Sequence, residues 1–183
     1  MNEARIRLRP IEKEDSVFLR DLANDPVVRA NVVGWDWPIS LTGQTRWFES
    51  GAETATTRRF IIETLEGVPI GLTGLWDIDW RNRSAMSAIK LGSDAQARGR
   101  GYGVEAIRVL MDFAFNDVGL NRLHGSILDG NEASLAVYIR KSGWTLEGRL
   151  RQHIWRNGDF IDLLQVGILR SEYESFVDSA GRS

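Results

Sequence analysis

The sequence predicts an α/β protein, in which a mixed β-sheet carries helices on its faces. Three β-prone runs follow one another in the middle of the chain, which is typical of an antiparallel meander. Apolar residues then recur at helical spacing after a glycine-rich stretch, and the pair Asn157-Gly158 is a strong hairpin signal near the C-terminus. No repeat, low-complexity block or linker divides the 183 residues, so one domain over residues 1–183 is expected.

The N-terminal part of the chain predicts one strand followed by two helices. Residues 5–9 alternate arginine with Ile and Leu, the pattern of a strand with one buried face, and Pro10 ends it. The acids and serine at 14–16 supply capping and first-turn residues for a helix that Asp25-Pro26 interrupts. After a tryptophan-containing loop, Ser40 is expected to cap a second helix.

The rest of the chain predicts a meander, two helices, one strand and a hairpin. The meander strands are residues 59–64, 69–78 and 84–91, separated by short polar turns. An amphipathic helix follows the glycine-rich stretch, residues 123–128 form a strand, and Asn131 caps a helix that runs to Lys141. Gly143 should take a left-handed conformation after that helix, and residues 144–155 and 160–169 should pair as the hairpin.

Composition and charge exclude several classes of function. With 23 Lys+Arg against 25 Asp+Glu, the chain gives no global electrostatic reason to bind nucleic acid. The absence of cysteine excludes thiol catalysis and Cys-ligated zinc or iron–sulfur sites, and no metal is predicted. No window approaches the roughly 18 apolar residues of a membrane span, and the N-terminus lacks the apolar stretch of a signal peptide. A cytoplasmic location is therefore expected.

The glycine-rich stretch 96–103 is the most informative segment. Glycines let the backbone turn sharply and approach a ligand, and the first N–H groups of the following helix suit an anion, typically a phosphate. A P-loop is excluded because no Gly-Lys-Ser/Thr follows. The match of residues 101–106 to G-x-G-x-x-A also fits a dinucleotide fold, but the preceding antiparallel strands and Asn121 count against it. A glycine-rich helix entry without a ligand is the remaining alternative.

Two overlapping patterns in this stretch, Arg98-x-x-Gly101-x-Gly103 and Gln96-x-x-Gly99-x-Gly101, resemble the pyrophosphate motif of the GNAT superfamily of N-acetyltransferases. The resemblance continues in order through most of the chain and is closest to the branch that includes the ribosomal-protein-alanine N-acetyltransferases. Its further segments are Arg7-Leu8-Arg9-Pro10, Gly101 to Ala106, Asn131-x-x-Ser134, Lys141 to Trp144, Leu146-Glu147-Gly148 and Gly158-x-x-x-Asp162.

The resemblance implies a GNAT fold with a splayed parallel pair of strands, and acetyl-CoA as cosubstrate. Acetyl would pass to a primary amine by direct attack in a ternary complex, since no cysteine could carry it. The first expected acceptor is a protein N-terminal amino group. The alternatives are a small amine (amino sugar, polyamine, amino acid or antibiotic) or a non-catalytic acetyl-CoA-binding module. No nucleic-acid or membrane partner is expected, and a homodimer is left open.

The resemblance also implies the residues that bind the donor. The pantetheine arm would lie between the strand ending at Leu91 and the one ending near Leu128, so these strands should part and leave the backbone of residues 90–92 for its amides. The expected cofactor-binding residues are Leu91, Gln96, Arg98, Gly99, Arg100, Gly101, Tyr102, Gly103, Asn131, Ser134 and Tyr138.

The proton donor for the departing thiolate is predicted to be Tyr138, with Ser134 as second candidate. In a helix capped at Asn131, positions 131, 134 and 138 lie close to one face, so the three side chains could converge. Simpler roles exist for all three: Asn131 as an ordinary cap, Ser134 as a group that satisfies the same cap region, and Tyr138 as a packed ring with its hydroxyl at the surface.

The general base is left open. By the resemblance, some members of the ribosomal branch have a glutamate where this sequence has Ile154, which cannot serve. His153, Asp77, Asp79 or a water relay remain as candidates.

The acceptor pocket is expected in the N-terminal half, by resemblance. Trp35, Trp37 and Trp47 are candidate walls because aromatic rings give large rigid contact surfaces. Asp36 and Glu49 could attract a cationic amine.

Overall fold

The computed structural model describes residues 5–51, 54–94 and 97–181. Its strands are β1 (Ile6–Pro10), β2 (Arg58–Thr64), β3 (Pro69–Asp79), β4 (Ser84–Leu91), β5 (Arg122–Leu128), β6 (Thr145–Arg156) and β7 (Asp159–Leu169). Its α-helices are α1 (Ser16–Asn24), α2 (Pro26–Asn31), α3 (Leu41–Glu49), α4 (Tyr102–Asp112), α5 (Glu132–Leu135) and α6 (Arg170–Gly181). Wider π-helical turns extend α4 over Phe113–Asp117 and α5 over Ala136–Arg140.

The strands form one mixed sheet in the order β1-β2-β3-β4-β5-β7-β6, which confirms the predicted fold class. All neighbouring strands are antiparallel except β4 and β5. This parallel pair is short: it runs from Ser84–Arg122 to Met86–His124, and beyond that point the strands separate. The predicted splay is therefore confirmed, and it opens the sheet on the side of Leu91.

Local capping explains where the N-terminal helices begin. Asp25 ends α1 and also starts α2, because its carboxylate accepts hydrogen bonds from the amides of Val27 (2.7 Å) and Val28 (3.2 Å). Pro26 fits the first helical position, where an N–H would have no partner in the helix. The sequence predicted only an interruption here. The predicted cap of α3 is confirmed, since the Ser40 hydroxyl accepts from the Gly43 amide at 3.0 Å.

The two faces of the sheet bury different cores. On one face, Leu19 and Leu22 of α1 pack with Ile61 and Leu72. On the other face α4 lies across the sheet. The core there includes Ile107, Leu110 and Met111 of α4 and the strand residues Leu75, Leu123 and Ile168. Both helical layers therefore meet the middle of the sheet, next to the separation of β4 and β5.

The C-terminal region contains one element that the sequence analysis did not predict. The hairpin is confirmed, with Asn157 (φ 53°) and Gly158 (φ 86°) both left-handed at its tip, and so is the left-handed Gly143 (φ 76°). The missed helix, α6, follows β7 without a break, and Tyr173 holds it against Phe115 with ring centroids 5.1 Å apart. No helix in the described part of the chain is long and apolar enough to cross a membrane.

Candidate active site

A groove of about 570 Å³ lies where β4 and β5 separate. Its walls come from α2, the end of β4, the glycine-rich loop with the first turn of α4, and residues 130–141. Leu91, the last residue of β4, lines it as expected. The groove thus joins the predicted phosphate-binding turn to the end of the splayed strand pair.

The glycine-rich loop adopts conformations that favour glycine. Gly99 (φ 72°) and Gly101 (φ 81°) are left-handed, and Gly101 precedes α4, whose first amides, those of Tyr102 and Gly103, have no acceptor within the helix. A Cβ at Gly103 would lie 3.2 Å from a Val137 methyl, so this glycine serves close packing. The loop therefore presents α4's positive end to the groove, an arrangement that fits a pyrophosphate.

The remaining loop residues differ in their contacts. Arg98 lines the groove, but its amide donates to the Asp94 carbonyl at 3.0 Å and so is used within the loop. Tyr102 also lines it, with its ring buried beneath the Arg5 guanidinium. Arg100 is exposed, interacts electrostatically with Glu66, and is not among the described groove-lining residues. Gln96 lies outside the described residues.

Asn131 and Ser134 form one wall of the groove. The Asn131 side-chain oxygen accepts from the Ser134 amide at 3.1 Å, which is the predicted N-cap. Its side-chain NH₂ donates to the Asn31 carbonyl at 3.1 Å, across to α2. Asn131 therefore ties the two walls together. Ser134 is half-buried and lines the groove beside it.

Tyr138 is buried and is one of the residues that line the groove. Its ring is buried edge-on against Trp144, with centroids 4.9 Å apart, and its hydroxyl meets the backbone of Ile89 on the separated part of β4. Burial raises the pKa of Tyr138, and the Ile89 backbone offsets this only in part. Although Tyr138 sits in a wider π-turn, it shares the groove with Asn131 and Ser134.

A second cavity, of about 270 Å³, opens on the face of the sheet covered by α1 and α3. We call it the tryptophan cavity. Trp35 and Trp47 line it as predicted, and Trp76 of β3, which the sequence analysis missed, forms a third aromatic wall. Trp37 is 82% exposed and is not among its described lining residues, so its predicted place there was wrong.

Lys90 lines both the groove and the tryptophan cavity, and it too was missed from sequence. Its Nζ lies 4.2 Å from the ring centroid of Trp35 and 5.3 Å from that of Trp76. Burial lowers the pKa of Lys90 to about 8, and the nearby Arg59 charge contributes. A signal existed: Lys90 interrupts an apolar strand run in a chain that contains few lysines.

The carboxylates and the histidine suggested by the sequence lie elsewhere. The Asp36 carboxylate forms an ion pair with Arg156, with Oδ1 and Nη2 3.3 Å apart, and Glu49 is exposed on α3. Asp79 caps its own turn by accepting from the Asn82 amide at 2.8 Å. Asp77 is exposed beside it, at the irregularity of β3, and His153 is exposed on β6. None of these five is among the described residues that line either cavity.

Comparison with known proteins agrees with this geometry. The acetyltransferase (GNAT) domain model matches residues 5–145. The spermidine N(1)-acetyltransferase of Escherichia coli (strain K12) is 26% identical over 169 residues, covering 92% of this chain and 88% of the relative. YdaF of Bacillus subtilis (strain 168), whose name refers to a ribosomal N-acetyltransferase, is 32% identical over 109 residues, 60% of this chain and 58% of the relative.

Solved structures show the same fold. The crystal structure of the spermidine N-acetyltransferase from Vibrio cholerae, in complex with CoA and spermine, superposes with a TM-score of 0.85. It shares 24% sequence identity, over 94% of this chain and 99% of that chain. Together with the family match, the splayed strands and the glycine-rich helix entry, this shows that the chain belongs to the GNAT family and is an acetyl-CoA-dependent N-acetyltransferase.

Proposed function

We propose that this enzyme acetylates the primary amine of a small molecule, and that residues 1–183 act as one catalytic domain. The observation that carries the proposal is the tryptophan cavity of about 270 Å³, which meets the groove at Lys90. A small amine bound there would lie next to the groove at Lys90, within reach of an acetyl group held in the groove. The full-length relatives named as spermidine N-acetyltransferases also favour a small amine over the protein N-terminal acceptor that was first expected.

The groove residues suit the donor as follows. The amides at the start of α4 and the Arg98 side chain would hold the pyrophosphate, because helix N-terminal amides and a guanidinium both bind phosphate oxygens. The pantetheine arm would follow the separated end of β4 past Leu91. Asn131 and Ser134 would form the facing wall. When bound, acetyl-CoA supplies the activated acyl group of the reaction.

Tyr138 is the proposed general acid. The amine nitrogen attacks the thioester carbonyl carbon, the carbon–sulfur bond breaks, and the Tyr138 hydroxyl gives its proton to the departing sulfur. Its place in the groove, beside Asn131 and Ser134, supports this role. Ser134, in α5, also lines the groove and is the second candidate. The proton that the amine nitrogen loses passes to water, and the Tyr138 phenolate regains a proton from water. Asp77, Asp79 and His153 are not among the described residues that line the two cavities.

The test is a coenzyme A release assay on a panel of amines. The panel contains spermidine, glucosamine, amino acids and a peptide with a free N-terminal alanine, and a thermal-shift titration with acetyl-CoA and NAD runs in parallel. We expect saturable turnover of a small amine and stabilisation by acetyl-CoA but not by NAD. Turnover of the peptide alone would overturn the acceptor assignment. Stabilisation by acetyl-CoA without turnover of any amine would instead indicate a binding module.

A further inference from the structure

Lys90 lies where the groove and the tryptophan cavity adjoin, and among the described lining residues it alone belongs to both. It follows the part of β4 that pairs with β5, which ends at Met86. In the sheet it pairs with Leu72, which is buried against α1, so the Lys90 side chain leaves the sheet on that face. Its Nζ lies 4.2 Å from the ring centroid of Trp35 and 5.3 Å from that of Trp76. A primary amine of the protein itself therefore stands at the junction of the two sites.

The residue before Lys90 marks the place where the thioester is expected. The backbone of Ile89 meets the hydroxyl of Tyr138, and this hydroxyl is the proposed proton donor to the departing sulfur. Consecutive Cα atoms lie about 3.8 Å apart, and the four-carbon stem of lysine is flexible. Rotation about the bonds of this stem can therefore move the Lys90 Nζ from the tryptophan rings to a thioester held beside Ile89.

Burial also favours the form of the amine that can react. It lowers the pKa of Lys90 to about 8. At pH 8 about half of this amine is then neutral, against about 1 in 250 for a lysine with the ordinary pKa of about 10.4. The neutral amine is the nucleophile, whereas the attraction to the face of a tryptophan ring requires the cation. Loss of the proton therefore activates the Lys90 amine and weakens its hold on the rings.

We propose that Lys90 is itself an acceptor, and that acetyl-CoA bound in the groove acetylates its Nζ when no substrate amine is bound. The Nζ attacks the thioester carbonyl carbon, a carbon–nitrogen bond forms and the carbon–sulfur bond breaks. The sulfur takes the Tyr138 proton, the nitrogen loses one proton to water, and the Tyr138 phenolate regains a proton from water. The products are acetyl-lysine at position 90 and coenzyme A. The inference rests on the proposed place of acetyl-CoA in the groove.

The test incubates the wild-type protein with acetyl-CoA, without any other amine, and measures its intact mass and the acetylation of each lysine-containing peptide. The chain contains two further lysines, which serve as internal controls. Lys141 also lines the groove but is exposed, and Lys13 is exposed in the turn before α1. We expect one acetyl group to be added, with Lys90 reacting at least about 10-fold faster than the other two, because a bound donor has a high effective concentration beside it.

Competition by coenzyme A separates reaction in the groove from chemical acetylation by free acetyl-CoA. An excess of coenzyme A should occupy the groove, so the acetylation of Lys90 should slow several-fold while that of Lys13 does not change. Equal rates at the three lysines, or acetylation of Lys90 that coenzyme A does not slow, would overturn the proposal.

The variant Lys90→Arg keeps a cation for the tryptophan rings but has no nucleophilic amine, since a guanidinium stays protonated. It should lose the rapid gain of one acetyl group in the intact mass. A rapid gain that persists in this variant would place the modification elsewhere. The unfolding temperature shows whether the variant is folded, and coenzyme A competition on the wild-type protein carries the test if it is not.

Failure of this inference and failure of the proposed function give different results. If a small amine is turned over and Lys90 stays unmodified, the modification site is wrong while small-amine acetylation stands. If Lys90 is acetylated and no small amine is turned over, the acceptor assignment falls and the modification site stands. If acetyl-CoA neither stabilises the protein nor acetylates Lys90, and no amine is turned over, both proposals are overturned together.

Discussion

The groove and the tryptophan cavity are built in different ways. The phosphate-binding side of the groove is a contiguous stretch of backbone, in which two left-handed glycines lead into the first turn of α4. The tryptophan cavity is made of residues from α1, α3, the loop between α2 and α3, and the strands β2, β3 and β4, which are far apart in sequence. In the proposed function, the groove binds a charged group with amides and a helix terminus, which are the same for any sequence that keeps the conformation. The tryptophan cavity would bind its ligand with particular side chains.

This difference explains which part of the chemistry is general. Amides at a helix N-terminus fit one invariant donor, so the same motif serves enzymes with different acceptors. A side-chain cavity can change its charge by a single substitution without disturbing the groove. Lys90 lines both the groove and the tryptophan cavity, so the two sites adjoin at this residue.

The largest effect on activity is expected from a change at Tyr138 in the groove. Tyr138→Phe should lower kcat by about 10²- to 10⁴-fold, the usual contribution of a general acid, with little change in KM for acetyl-CoA. The ring packing on Trp144 is retained, so the fold should survive. The measurement is kcat by coenzyme A release across pH 6–9.

Tyr173→Phe is the matched control. This tyrosine is also buried, and its hydroxyl donates to Asp112 at 2.9 Å, but it belongs to α6 and not to the groove. The control should lose about 1 kcal/mol of stability and keep kcat. Unchanged kcat in Tyr138→Phe would remove Tyr138 from the chemistry and direct attention to Ser134.

The next variant tests whether the backbone amides of the glycine-rich loop bind acetyl-CoA. Gly101→Val places a β-branched residue at φ 81°, a conformation that costs about 1–3 kcal/mol. The loop can escape this strain only by moving its amides, so KM for acetyl-CoA should rise about 10- to 100-fold while KM for the amine changes little. Steady-state kinetics at varied acetyl-CoA measure this.

Gly158→Val is the control for the effect of backbone strain alone. Gly158 has a similar φ of 86° but lies at the tip of the β6–β7 hairpin. A Cβ there would meet nothing within 4 Å, and one at Gly101 would make only an ordinary 3.5 Å contact with the end of the Arg5 side chain. It should lose comparable stability and leave KM for acetyl-CoA unchanged. Equal KM values in the two variants would show that the glycine-rich loop does not contact the donor.

Sequence reasoning recovered the groove because its signals are local. A cap such as Asn131, a left-handed glycine such as Gly143 and the Asn157-Gly158 turn each act within a few residues, and all three were confirmed. The order of elements then followed from periodicity. The missed α6 has a weaker apolar pattern, and among residues 170–179, whose burial the structure describes, Tyr173 is the one that is buried. Tertiary packing and not propensity therefore makes it a helix.

The tryptophan cavity could not be recovered in the same way. Arg59 and Lys90 are brought together by the register of three strands, which no local pattern specifies. Trp37 and Trp35 are two residues apart, yet one is exposed and the other is a wall, because the loop between α2 and α3 follows packing and not a regular period. Side-chain sites assembled across strands require the structure.

The smallest effect separates the two structural roles of Asn131. Asn131→Ala removes both the cap of α5 and the bond to Asn31 across the groove, and should cost about 1–2 kcal/mol of stability. Asn131→Asp keeps a capping oxygen but has no donor for Asn31, so it should retain most of the stability. Denaturant unfolding and the KM for acetyl-CoA are measured on both.

Ser40→Ala is the matched control, because it also removes a helix cap but lies at the tryptophan cavity and not at the groove. Ser40 caps α3, which forms part of the wall of that cavity. It should lose about 1 kcal/mol and leave KM for acetyl-CoA unchanged. If Asn131→Asp raises that KM several-fold while remaining stable, the bond between the walls holds the groove in its binding shape. If Asn131→Asp binds acetyl-CoA like the wild type, Asn131 is a cap alone, and the groove keeps its width through the backbone of β4 and α4.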